Sequence, residues 1–157
     1  MADPDRFGYR RLDVYQLAHG LGVRIHAMTR KLPSFERFEE GAQVRRSSKS
    51  VSALIVEGYA LRKHRDEFLH YLHRALASSD ETKEHLDYLH ETGSLKSSSI
   101  YSGLAADCEK LSAKIGRFII GVERGHSIPY YLREVAKPKR MSLQPGIQNR
   151  ESKNENR

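Results

Sequence analysis

The chain has no tryptophan and one cysteine, Cys108, in 157 residues. A lone thiol excludes an internal disulfide and a cysteine-based zinc cluster, and it points to a reducing compartment. Proline is absent from Ser34 through Ile128, so nothing in that span removes an N–H donor from a helix. Long apolar runs are missing too. The longest aliphatic run is Ala53–Val56, far short of the roughly 20 residues a membrane span needs. The start, MADPDRFGYRR, has no apolar signal core. No segment alternates with period two, so no strand is expected. HExxH and paired Cys/His spacings are lacking, so neither a metal nor a cofactor is expected. Together these absences predict a soluble, cytoplasmic protein with no membrane partner.

What the chain has instead is charge and helical period. Lys and Arg number 27 against 20 Asp and Glu, for a net charge of +7. Residues 127–157 hold seven Lys/Arg against three Glu, and so supply +4 of that excess. Basicity in the remainder is therefore only a modest argument for a nucleic-acid partner. A chain of this length supports one domain with one core.

Four segments carry apolar residues at spacings of three and four, which is one helix face. The first, about 11–31, has Val14, Leu17, Leu21, Ile25, Met28 and Leu32, with Pro33 as its stop. The second, about 40–59, has Val44, Ser47, Val51, Leu54 with Ile55, and Gly58. Half of that face is small, so a neighbouring backbone can approach closely, and Gly58 reads as a C-terminal stop. The third, about 65–92, has Phe68, Leu72, Leu76 beside Ala75, Ser79, Leu86 and Leu89, with Gly93 placed for a left-handed cap. The fourth, about 98–124, has Tyr101, Leu104, Cys108, Leu111, Ile115, Phe118 and Val122, a heptad seam that Ser97, Ser98 or Ser99 can cap. Short connections force antiparallel neighbours. The expected fold is all-α, an up-down-up-down four-helix bundle over 11–126, with an N-terminal arm at 1–10. The tail, 127–157, is expected to be basic and disordered, and its Lys137-Pro138-Lys139-Arg140 solvated.

Three blocks carry a family resemblance: LDVYQLA at Leu12–Ala18 with Leu32-Pro33 and Glu36; Gln43, Arg45, Arg46, Ser50, Ile55, Glu57, Gly58 and Tyr59; and Ala75–Leu95. They resemble the four-helix bundle family that includes the proteins encoded in 23S rRNA intervening sequences. That family also includes the accessory variability determinant of diversity-generating retroelements. The resemblance covers about Phe7–Val122. The chain departs from the family pattern at Glu39-Glu40, Ser52, Leu54 and Ala60-Leu61, so family roles at those positions are not carried over. The resemblance implies a homo-oligomer, a pentameric ring, that binds RNA, DNA or a nucleic-acid-processing enzyme such as a reverse transcriptase. It implies no catalytic residue, and no enzyme activity is expected.

Arg45, Arg46, Lys49, Arg62, Lys63 and Arg65 form the densest basic stretch before the tail. Like charges set one turn apart are unfavourable unless an anion offsets them. Phosphate is one such anion, held by an arginine fork. Carboxylate is the other, and Glu57, Asp80, Glu81 and Glu84 are the ion-pair candidates, Glu57 as a buried partner. Two further readings carry less. Glu67 and His70 have the spacing of a bundle-core di-metal ligand pair, but the fourth segment supplies no second pair. Arg65 and His70 resemble the Arg-x4-His signature of the HEPN helical ribonucleases, in which the histidine acts as acid or base without a metal. A purely structural module with a protein partner is the third alternative.

Overall fold

Each periodic segment folds as one helix. The computed structural model describes residues 7–125, so the expected tail and most of the arm lie outside the described residues. Helix α1 spans Asp13–Thr29, α2 Glu40–Ala60, α3 Arg65–Glu91 and α4 Ser98–Glu123. Among the described residues there is no strand. Helices next to one another around the bundle pack together, α4 closing on α1, and the diagonal pairs make no close backbone approach. This is the all-α up-down-up-down arrangement.

The helix ends follow local chemistry. Leu12, with φ −72 and ψ 124, is extended and starts α1 two residues later than the periodicity suggested. Ser97 Oγ accepts from the Ile100 amide and caps α4. Gly93 has φ 77 and ends α3 with a left-handed residue, while the Leu95 amide reaches back to Leu89 O at 2.7 Å. Gly8–Arg11 forms one turn of 3-10 helix, held by Tyr9, whose ring meets Tyr15 at 4.9 Å and Tyr59 at 6.1 Å edge-on.

The core contains Leu21, Ile25, Val44, Val51, Ile55, Leu72, Leu86, Leu89, Leu111 and Ile115, all essentially without solvent contact. Burying each large aliphatic side chain contributes about 1.5–3 kcal/mol. Cys108 is among them, and burial pushes its thiol up to about 12. It is a core hydrophobe, not a reactive group.

The α2–α3 contact is the most extensive in the bundle, and small residues make it so. Thr82 Oγ1 sits 2.9 Å from Ser47 Oγ and 2.7 Å from Ser78 O, and Ser78 donates to Ser50 at 3.3 Å. Gly58 is buried within α2 and does not end it, contrary to its reading as a stop. Its role is clearance: a Cβ there would lie 2.8 Å from Tyr71 Cβ and 3.2 Å from Phe68 Cδ2.

A polar clasp joins the end of α3 to the start of α4. Asp87 accepts from Lys83 Nζ at 2.7 Å and from the Tyr101 hydroxyl at 2.8 Å, and the His90 ring stacks on Tyr101 at 4.0 Å. The hydrogen bonds to Asp87 hold both the Lys83 ammonium and the Tyr101 phenol above their ordinary pKa values.

Two measurements test this packing. Gly58→Ala should lose about 1–3 kcal/mol in denaturant unfolding through overpacking. Gly103→Ala, where an added Cβ meets nothing within 4 Å, should gain up to about 1 kcal/mol from helix propensity. Equal effects at the two sites would contradict the close α2–α3 approach. The clasp has a pH signature. Because both groups bind their proton more tightly in the folded chain, its contribution is complete below about pH 10 and falls as pH rises through the raised values. The stability gap between wild type and Asp87→Ala should therefore be constant from about pH 7 to 9 and close above pH 10. A gap unchanged at about pH 11 would show that Asp87 does not engage these protons.

Candidate nucleic-acid interface

The basic stretch from Arg45 to Arg65 is continuous only in sequence. Along a helix rising about 1.5 Å per residue, Lys49 and Arg62 stand roughly 20 Å apart. Arg45, Arg46 and Lys49 lie in the N-terminal half of α2, whereas Arg62, Lys63 and Arg65 lie at the α2–α3 turn, at the opposite end of the bundle.

At the first end, Arg45 is structural. Its Nη2 donates to Arg37 O at 2.7 Å, and Arg37 Nε donates to Leu32 O at 3.0 Å. The two guanidinium groups fasten the α1–α2 loop, whose carbonyls would otherwise face solvent. Gly41 leaves room for this fastening, since a Cβ there would lie 2.6 Å from Glu36 O. Arg46 is exposed and donates to Gln43 Oε1 at 3.3 Å. Lys49 is exposed and has no ion pair among the described residues. It stands with His19, Val23, His26 and Ser52 around a groove of about 360 Å³ between α1 and α2. No carboxylate lines that groove.

At the second end, Arg62 donates to Tyr59 O at 3.0 Å and lies over the Tyr59 ring at 4.2 Å. Lys63 is exposed without an ion pair among the described residues. Arg65 crosses to α4, where Nε donates to Val122 O at 3.4 Å and Nη2 to Glu123 O. A cation on these last carbonyls satisfies orphan acceptors and complements the helix dipole.

Among the described residues no ion pair joins the candidate carboxylates to this cluster. Glu57 is exposed, not buried, because its position faces away from the Leu54–Ile55 side of α2. It makes no ion pair among the described residues. Asp80 accepts from the Ser112 hydroxyl at 2.8 Å, tying α3 to α4. Glu81 lies 3.5 Å from His85 Nε2, and His85 Nδ1 lies 2.7 Å from Glu40. Glu84 is exposed. Helix α3 carries Asp66, Glu67, Asp80, Glu81, Glu84, Asp87 and Glu91 against Arg65, Arg74 and Lys83. Its outer face is thus acidic. Between Leu12 and Leu32, by contrast, Asp13 is the only acid beside Arg24, Arg30 and Lys31. A polyanion meets least repulsion over α1 and the first half of α2.

Arg65 and His70 are engaged separately. The guanidinium is occupied at the α4 terminus, and His70 is exposed against Tyr71 with ring centres 5.8 Å apart. Among the described residues no group of three or more His, Cys, Asp and Glu is placed to hold a metal ion. His19 and His26 carry no signal in the sequence, because only the α1–α2 packing brings them beside Lys49.

Replacing the Arg65 donors tests the capping role. Arg65→Met should cost about 1 kcal/mol of stability, whereas Lys63→Met should change it by less than about 0.5 kcal/mol. Denaturant titration of both variants separates them, and an unchanged Arg65→Met protein would free that arginine for a ligand.

Among curated proteins none matches the chain. No helix of the described residues is long and apolar enough to cross a membrane. Residues 10–117 match the family described as 23S rRNA-intervening sequence protein, a span that starts in the 3-10 turn and runs through most of α4. The matched region holds the complete α2–α3 contact and both halves of the basic stretch, and the chain belongs to the 23S rRNA-intervening sequence protein family.

Proposed function

We propose that this chain is a non-enzymatic helical-bundle protein of the cytoplasm that binds a nucleic-acid backbone, RNA or DNA, over α1 and the first half of α2. Lys49 and Arg46 are its central contacts, with Lys63 and Arg62 at the far end of the bundle. The observation that carries this reading is the division of charge. Lys49 faces a groove free of carboxylates, while the acidic side chains gather on α3. The family's description, which links its members to 23S rRNA intervening sequences, supports the same class of partner.

A protomer with two to four phosphate contacts binds weakly, so the proposal includes a homo-oligomer, a ring of five. Several copies acting on one strand raise avidity without new contacts. Phe35, Phe38 and Ile120 are large, apolar and exposed in the single chain, which supports burial between copies. A nucleic-acid-processing enzyme such as a reverse transcriptase would be recruited by the strand so held.

Titration of labelled RNA and DNA at about 50 and 200 mM salt tests the reading. Binding should show little sequence preference and weaken steeply with salt. The double variant Arg46→Glu, Lys49→Glu should make the negative slope of log affinity against log salt shallower by roughly 1.4–1.8. Absence of binding at the lower salt would overturn the proposal.

A further inference from the structure

A wide opening among the described residues lies far from Lys63 and on the other side of α1 from Lys49. It is a cleft of about 720 Å³ between the second half of α1 and the first half of α4, floored by the two loops at that end. Its origin is a sparse contact. Of the neighbouring helix pairs, α1 and α4 meet least extensively. Gly103 widens the gap further, since a Cβ there would meet nothing within 4 Å.

The lining has two chemistries. Its inner wall is aliphatic, formed by the buried Met28, Leu32 and Leu104, with Ile100 41 % exposed at the mouth. No aromatic side chain contributes, so nothing is placed to stack on a nucleobase. The rim carries Arg24, Lys31 and Lys96, and no carboxylate. Arg24 is engaged by Asp107. Lys31 and Lys96 are exposed and have no carboxylate partner among the described residues. Two ammonium groups beside one opening, with no carboxylate among the described residues that line it, favour the arrival of an anion. The first turn of α4 forms part of the same wall, and its dipole has the same sign. A concave apolar volume of this size with a few convergent polar groups has the form of a small-molecule site.

We infer that this cleft binds a small amphipathic anion, with an aliphatic body against Met28 and Leu104 and a phosphate or carboxylate head between Lys31 and Lys96. The site is separate from the nucleic-acid reading and does not depend on it. A phosphate head would take hydrogen bonds from the lysines and the serine hydroxyls of the rim. The aliphatic body displaces water from surface that the helices leave uncovered.

Calorimetric titration of the full chain with octyl phosphate, kept below its micellar range, tests the inference. One saturable site per chain is expected. Inorganic phosphate, which lacks the body, and octanol, which lacks the charge, should each bind at least tenfold more weakly. The double variant Lys31→Glu, Lys96→Glu should weaken octyl phosphate at least tenfold. Gly103→Leu places a side chain in the empty space of a helix interior and should abolish binding while keeping or raising the thermal midpoint. Octanol binding as tightly as octyl phosphate would overturn the inference by showing an apolar patch only. Equal binding of inorganic phosphate would overturn it by showing a surface anion site only. Undiminished binding to Gly103→Leu would place the ligand elsewhere. Failure of octyl phosphate to bind, with Gly103→Leu changing the protein's mass in solution, would show that another copy of the chain covers the cleft.

Discussion

The close approach of α2 to α3 is the contact on which the remaining packing depends. It needs Gly58 against Tyr71 and Phe68, and hydroxyl pairs at Ser47–Thr82 and Ser50–Ser78, in place of large side chains. Small residues let the two backbones draw together, and the hydroxyls satisfy one another inside the contact. Among the described residues no buried side-chain polar atom lacks a partner. With α2 and α3 drawn together, the aliphatic faces of α1 and α4 have a single ridge to pack on, and the short loops then bring them to its two sides.

The basic side chains divide by what they reach. Arg45 and Arg65 end on backbone carbonyls of the α1–α2 loop and of α4, so N–H donors of each serve the fold. Arg62 lies on Tyr59. In the proposed function Lys49 and Lys63, exposed and without an ion pair among the described residues, meet a solvent-borne partner. Guanidinium groups suit the first task because a planar fork can meet two acceptors, and an ammonium suits the second as a mobile point charge.

Much of the bundle was legible from periodicity. Val14, Leu21, Ile25, Val51, Leu72, Leu111 and Ile115 recur at three and four and are buried. What periodicity missed was polar or small: Thr29, Ser48, Thr82, Ala18 and Gly22 lie in the core beside those residues. A hydroxyl enters an apolar face only when a neighbouring carbonyl or hydroxyl receives it, and that neighbour lies a turn away or on another helix. Gly58 was misread for a related reason, since a glycine near a helix end is a stop or a clearance depending on what faces it. The candidate site was least legible. Arg45 to Arg65 are close in sequence and distant in space, and the residues around Lys49 come from another helix. Glu57 follows four aliphatic residues, yet the helical turn carries it outward.

Sparse packing along α1–α4 leaves the bundle shaped more like a rolled strip of four rods than a closed cylinder. Three seams are tight, and the fourth is a line where the roll can loosen. Small openings there require no change in the Ser47–Thr82 or Asp87 contacts, which lie in other seams. The end of the strip at α4 is nevertheless latched, because Arg65 reaches over from α3 to grip its final carbonyls. Across the thin seam itself, Arg24 meets Asp107 one turn from Gly103 and Lys114 meets Asp13 nearer the latch, so charge pairs stand where apolar packing is sparse.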